Sequence, residues 1–333
     1  MSFTVEKPTD VTPIEIPQVR RVSDRVFRAI LTVGGLSAFL ILSGIFSYLA
    51  IAAAPVLSYF GTEFFTGSSW YQGDGLLPDQ GSVDPPSFGL FPMLWGSVLT
   101  SAIAVVIALP LALAVSLSIT YLLPKRLSLA LTVFVDLVAA IPSLIFGLWG
   151  FFVLLPHAIV WSRWLNQHFD WFPLFRVEFK AFEQSPMMAG IVLGIMITPI
   201  IAAVTREVFA SVPKDLISGA EALGASRWTI IRDVVIPFGR GGIVGGAMLG
   251  LGRALGETVA VFFVLQLFFD EVNWYRILES TGGSIAALIV NRFAEAFPLE
   301  LTALFGAGLA LFVITLLANA GATAIVNATK RKM

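Results

Sequence analysis

The sequence predicts an all-α integral membrane protein with six transmembrane helices and both termini in the cytoplasm. Three observations predict it. The 333 residues are 57% hydrophobic and only 13% charged, where soluble domains carry about 25% charged residues. Six charge-poor runs are each long enough to cross a bilayer. Lysine and arginine are distributed unevenly between alternate connecting segments.

The runs can be taken in order. Residues 1–28 are polar and hold Arg20, Arg21, Arg25 and Arg28, so they read as a cytoplasmic tail. Ala29–Thr62 is free of charge and is far longer than the roughly 7–15 residues of a signal h-region, which makes it an uncleaved first span. Pro85–Pro124 is the second, with its helix expected from about Trp95. Leu127–Ser162, interrupted only by Asp136, is the third, and Gln184–Thr205 the fourth. Gly241–Phe269, with only Arg253 and Glu257, is the fifth, and Leu301–Thr329 the sixth. The membrane domain is thus 29–328, followed by a short cytoplasmic end, 329–333. Pro110, Pro142 and Pro199 fall within spans and read as kinks. With the tail inside, fifteen Lys and Arg fall on the cytoplasmic side. Five fall outside: Arg163, Arg176, Lys180, Arg276 and Arg292. This bias places both termini inside.

Composition also excludes chemistry. There is no cysteine and hence no disulfide or thiolate metal site. His157 and His168 are the only histidines and read as solvated loop residues, so no metal site is expected. The net charge of −1 argues against a nucleic-acid partner. No nucleophile–base constellation and no G-x-x-x-x-G-K-[ST] phosphate loop is present, so the chain reads as non-catalytic. Outside, residues 63–84 hold Glu63, Asp74, Asp79 and Asp84 without a cation. Trp161, Trp164 and Trp171 suit an interfacial belt or a docking face. NRFAEAF, 291–297, reads as a short amphipathic helix before the last span.

Two stretches carry the functional signal. In the cytoplasmic segment 211–240, Ser211 and Pro213 open a helix with Leu216, Ala220 and Leu223 along one side. Gly224 stops that helix. Ser226 caps a second helix with Trp228, Ile231 and Val235 on one face, and Pro237 lies near its end. Ser218 and Glu221 also fit a capping box, which would start the first helix later. The hairpin either docks on a cytoplasmic partner or rests on the bilayer. The second stretch is GLGRALGE. There Arg253 and Glu257, at i and i+4, share a face of an apolar helix. A charge at the bilayer centre costs roughly 2.5–3.5 kcal/mol on insertion scales, so the pair faces either a partner or a watery path. The guanidinium fork suits phosphate oxygens, with Glu257 holding it or neutralising it. A neutral pair without a transport role is the alternative. Gly242, Gly246, Gly250 and Ala254 form a small-residue stripe for close helix contact, while Gly252 and Gly256 leave room beside the arginine. Asp136 is a third candidate for the path, or merely interfacial.

The cytoplasmic segment resembles the E-A-A-x3-G-x9-I-x-L-P loop of ATP-binding-cassette importer permeases. Gly224, Val234, Ile236 and Pro237 take the matching positions. Ser218 replaces the glutamate, and Glu221 lies three residues late. GGAMLGLGRALGETVAV, DLVAAIPSLIFGLWG, ITPIIAAVTREVF and FAEAF resemble the phosphate-specific PstC family, from about residue 95 to 326. The resemblance implies the type I importer permease fold in a bacterial cell membrane. It implies a coupling loop of Ser218, Glu221, Gly224, Ala225, Trp228, Ile231 and Pro237; the path candidates Arg253, Glu257 and Asp136 rest on the charges within the spans. It also implies partners: a second permease (PstA type), two ATPase subunits (PstB type) that bind Mg-ATP, and an extracytoplasmic phosphate-binding protein (PstS type). This chain itself would carry no cofactor, and inorganic phosphate would be the solute. Sulfate or molybdate permeases share the architecture, and a gradient-driven carrier or channel is the alternative from another class.

Overall fold

The computed structural model describes residues 22–76, 81–178 and 181–330. The expected tail up to residue 21, Asp79, Lys180 and the last three residues lie outside that set. The chain divides after Tyr48 into two compact units. Among described residues the first is a single stretch of helix α1, Val22–Phe60, and the second holds everything from Leu49 onward. At 1.5 Å per residue, α1 is about 58 Å long, nearly twice a ~30 Å hydrocarbon core.

After α1 come a short helix α2 (Glu63–Thr66) and a two-stranded hairpin, β1 (Trp70–Tyr71) paired antiparallel with β2 (Ser87–Phe88). Helix α3 (Phe91–Leu117) continues through a π turn to Leu122. Then follow α4 (Lys125–Ala139), α5 (Ser143–Trp149) and α6 (Leu155–Phe169), the last two joined by a π turn. Next are α7 (Pro186–Ala210), α8 (Lys214–Ala222) and α9 (Arg227–Ile230). A further π turn leads from α9 into α10 (Ile236–Gly256). Helices α11 (Val259–Val264), α12 (Ile285–Phe293) and α13 (Pro298–Lys330) complete the chain.

Six helical stretches among the described residues are long and apolar enough to span: 22–60, 91–122, 143–169, 186–210, 227–256 and 298–321. The count agrees with the sequence, but several boundaries do not. The third span is not 127–162. Pro142 stands in extended conformation before α5, so it separates two helices instead of kinking one. Asp136 thereby falls on the 15-residue helix α4, too short to span by itself. The fifth span starts at Arg227, within the segment 211–240 expected to be a loop, and stops at Gly256. NRFAEAF is the end of α12 followed by a turn, and is not a separate helix.

The core is a close approach of α3 and α7. A Cβ on Gly190 would collide with Ile103, and one on Gly194 would stand 3.2 Å from the carbonyl of Ala104. Small side chains on α3 recur every four residues, with Thr100, Ala104, Ala108, Ala112 and Ser116 all buried. In lipid such seams replace the hydrophobic effect as the source of helix association. Thr100 and Thr205 donate to carbonyls one turn back, which satisfies their buried hydroxyls inside the helix. A second cluster gathers Val56, Phe64, Trp70, Phe88, Ile285 and Leu304 beneath the hairpin.

Candidate translocation site and coupling loop

Helix α10 packs against α7 along the stripe expected from sequence. A Cβ on Gly242 would stand 2.7 Å from Cβ of Val208, and one on Gly250 would stand 2.8 Å from Ile201 Cδ1. Ala254 is 3% exposed. Rows of residues four apart are inclined to a helix axis, so this seam winds around α10 as it rises. The neighbouring row, Gly245, Leu249 and Arg253, stays open. Nothing lies within 4 Å of a Cβ on Gly245, Leu249 is 58% exposed, and Arg253 is exposed. Gly256 also faces open space, whereas Gly252 faces Asn319 of α13.

Arg253 and Glu257 do not share a helix face. Helix α10 ends at Gly256, and Glu257 adopts an extended backbone, φ −71° and ψ 123°. Its side chain is 9% exposed and turns toward the next element, where Oε1 accepts weakly from the amide of Ala260 at 3.4 Å. The Thr258 hydroxyl donates to the Gly256 carbonyl at 3.2 Å across the same break. Continuous-helix spacing hid this, because a glycine before the break leaves no side-chain mark of it. Among the described residues no carboxylate pairs with Arg253. It lies in the last turn of α10, where the helix dipole favours a cation. Asp136 belongs elsewhere: it faces Arg206 of α7 at 3.9 Å, both side chains partly exposed.

Segment 211–240 is a helix–glycine–helix hairpin. Gly224 has φ +81°, the left-handed region in which glycine is unstrained. Ser226 caps α9 by accepting from the amide of Thr229 at 3.2 Å. Helix α8 begins at Lys214, so Ser218 lies in mid-helix and is not a cap. Phe209, Val212, Ile230 and Val235 form a buried cluster with Ile217 and Ala220 packed against it. The hairpin is thereby pinned to the ends of α3 and α7, which Tyr121 links by donating to the Phe209 carbonyl at 2.6 Å. Leu223 is 90% exposed and Trp228 66%, with Leu216, Ser218 and Glu221 also outward and Ala225 half-buried. Ile231, expected on the Trp228 face, is 3% exposed. Pro237 occupies the first turn of α10, so no linker separates hairpin from span.

Three features were not read from the sequence. Glu279 is fully buried; it pairs with Arg276 Nε at 3.0 Å and accepts from the amide of Glu178 at 3.0 Å. Arg276 also contacts Glu178, which joins the segments before α7 and after α11. Glu300, 1% exposed, accepts from Arg292 at 3.0 Å and from the Trp70 indole at 2.9 Å. The i, i+3 spacing of Arg276 and Glu279 was the only sequence signal for the first of these, and it does not reveal burial. In the hairpin loop, the hydroxyl of Ser82 and the amides of Val83, Leu76 and Asp84 surround Asp74. They hold its carboxyl down at about 2.

Residues 108–333 match the family described as binding-protein-dependent transport system inner membrane component. The chain is similar to phosphate transport system permease protein PstC 2 of Mycobacterium bovis, at 37% identity over 310 residues, covering 92% of this chain and 93% of that protein. It is also similar to the probable PstC of Methanocaldococcus jannaschii, at 35% identity over 314 residues, 92% and 94% of the two chains. A chain of the bacterial alginate ABC transporter, solved with its pentasaccharide-bound periplasmic protein, superposes with TM-score 0.57 at 16% identity, covering 91% and 96%. That last likeness is one of fold.

Proposed function

We propose, from the premise that this chain belongs to the PstC family of binding-protein-dependent inner-membrane permeases, that it is the transmembrane permease subunit of an ATP-driven phosphate importer. It is a multi-pass membrane protein without a catalytic site of its own, and it works with ATPase subunits and a binding protein. The finer assignment is a second permease of PstA type, an ATPase pair of PstB type holding Mg-ATP, and a phosphate-binding protein of PstS type. The hairpin 211–240 and both termini lie in the cytoplasm in this reading, supported by the fifteen-to-five bias of Lys and Arg.

The observation that carries the mechanism is one helical stretch, 227–256, with exposed Trp228 near one end and exposed Arg253 at the other. The ATPase would grip the hairpin through Leu223 and Trp228. Arg253, on the open row beside the α7 seam, would meet phosphate or the second permease. A guanidinium gives paired donors to oxyanion oxygens, and its exposure in the isolated chain means that binding need not first break an internal ion pair. Glu257 acts at the break, fixing where α10 stops, and Asp136 is a positioning residue for Arg206.

The test is phosphate uptake by the reconstituted importer. Arg253→Ala is expected to lower uptake at least tenfold with normal assembly, and Arg253→Lys to retain part of it. Parental uptake by an assembled Arg253→Ala complex would overturn the assignment. Sulfate and molybdate offered in the same assay decide the solute.

A further inference from the structure

We propose that a cleft walled by Gln184, Gln266 and Asn291 is a second, uncharged station for the transported oxyanion. This inference rests on the phosphate reading above. The cleft has a volume of about 350 Å³ and lies among Phe262 of α11, Asn291 of α12, the residues just before α7, and Leu267 and Phe269 of the segment after α11. It begins beyond the break that ends the helix bearing Arg253. Among the described residues no charged side chain lines it.

The amides of Gln184 and Gln266 are held and only partly used. The amide of Gln266 donates to the Gln184 carbonyl at 3.2 Å, joining the two walls. Gln184 Nε2 donates to the Phe263 carbonyl at 2.8 Å. Gln266 Oε1 accepts from the Ser280 hydroxyl at 3.1 Å. What remains for the cleft is both N–H donors of Gln266, the acceptor Oε1 of Gln184, and the amide of Asn291.

That set suits a protonated oxyanion. Inorganic phosphate is a triprotic acid that keeps one or two of its protons near neutral pH, so it presents bare oxygens and at least one P–O–H. Gln266 and Asn291 can donate to the oxygens, and Gln184 Oε1 can accept from the hydroxyl. A cation would find no carboxylate among the described lining residues. The volume equals roughly ten waters at ~30 Å³ each, so the anion can keep part of its hydration. Conduction needs a site favourable enough to enter and weak enough to leave. Neutral amides meet that condition, and the strong charge is confined to Arg253.

Since the chain has no cysteine, the perturbation can be made after assembly. Gln266→Cys and Asn291→Cys are introduced into the reconstituted importer, whose parent is first shown to be insensitive to thiol reagents. Each is modified to completion with an anionic or an uncharged methanethiosulfonate of similar size. The anionic adducts are expected to cut phosphate uptake tenfold or more, and the uncharged ones less than threefold. Equal inhibition by both reagents would mean simple plugging, and inhibition by neither would place the cleft off the path; either result overturns the station. Arg253→Ala run in parallel separates the two proposals. If it abolishes uptake while no adduct inhibits, the station alone fails. If it transports normally while only anionic adducts inhibit, the station stands and the role of Arg253 fails.

Discussion

Gly242 and Gly245 lie less than one turn apart on α10, yet the packing assigns them opposite tolerances. A Cβ on Gly242 would stand 2.7 Å from Cβ and 2.8 Å from Cγ1 of Val208, with Cγ2 nearer still. Valine has essentially one χ1 rotamer in a helix, and its Cβ cannot rotate away at all. Gly242→Ala therefore forces α10 and α7 apart locally. A radial gap of ~0.5–1 Å forfeits a quarter to a half of each contact along the seam, and overpacking of this kind costs about 1–3 kcal/mol. Gly245→Ala meets nothing within 4 Å. Both substitutions gain the same helix propensity, about 0.8–1 kcal/mol in water, so that contribution cancels in their difference. The expected difference is about 1–3 kcal/mol, or roughly 5- to 150-fold in the unfolding constant. Reversible denaturant titration of the purified chain in micelles measures it. Variants within ~0.5 kcal/mol of each other, or Gly245→Ala as the less stable, would refute the seam.

Three further outcomes are expected. Val83→Cys, at a position 95% exposed in the hairpin loop, should react with an impermeant thiol reagent in intact cells, and Ser211→Cys only after the cells are opened; the reverse pattern would invert the topology. Gly224→Val, which forces a β-branched residue to φ +81° at a cost of about 1–3 kcal/mol, and Trp228→Ala should each lose ATPase subunits or uncouple hydrolysis from uptake. Unchanged retention and stimulated hydrolysis in both would leave the hairpin resting on the bilayer. Arg292→Met strands the buried Glu300 and should destabilise the fold by about 3 kcal/mol, much of it recovered by adding Glu300→Gln; no recovery in that denaturation cycle would mean that the ion pair does not govern the loss.

The span count was legible because crossing a bilayer is a matter of apolar length, and uncharged runs report length directly. Where each helix starts and stops was less legible. Pro142 reads as a kink within a span, and only the backbone around it, bent away from helix, makes it a boundary. The glycine stripe was legible because small residues every four positions have one physical use in lipid. The same signal on α3, from Thr100 to Ser116, passed unread among hydroxyl-bearing residues. Ile231 shows the limit of periodicity. Helical spacing puts it beside Trp228, but burial depends on what another element reaches. The patch at Phe209 and Val212 covers Ile230 and Val235 and leaves Trp228 exposed. For Arg253 the residue type was visible and the loss of its expected partner was not, because the break at Gly256 turns Glu257 toward the next helix.

That break bears on how a motion of the hairpin could reach the solute. From Arg227 to Gly256 the chain is helical through a π turn, with no slack at Pro237, and at 1.5 Å per residue it is about 45 Å long. Its middle is fixed to α7 by contacts too close to slide, at Gly242 and Gly250. The same α7 leads directly into α8, so the hairpin hangs from two helices that are locked together. A displacement at Trp228 would move both as one body and would not be absorbed between them. The body ends at the break. Arg253 lies in the last turn of that body, while Glu257 lies beyond the break, in the turn to α11. A cation on the moving side of a hinge and a carboxylate on the other would change separation with each stroke. An i, i+4 pair on one rigid helix would keep its separation and could not respond.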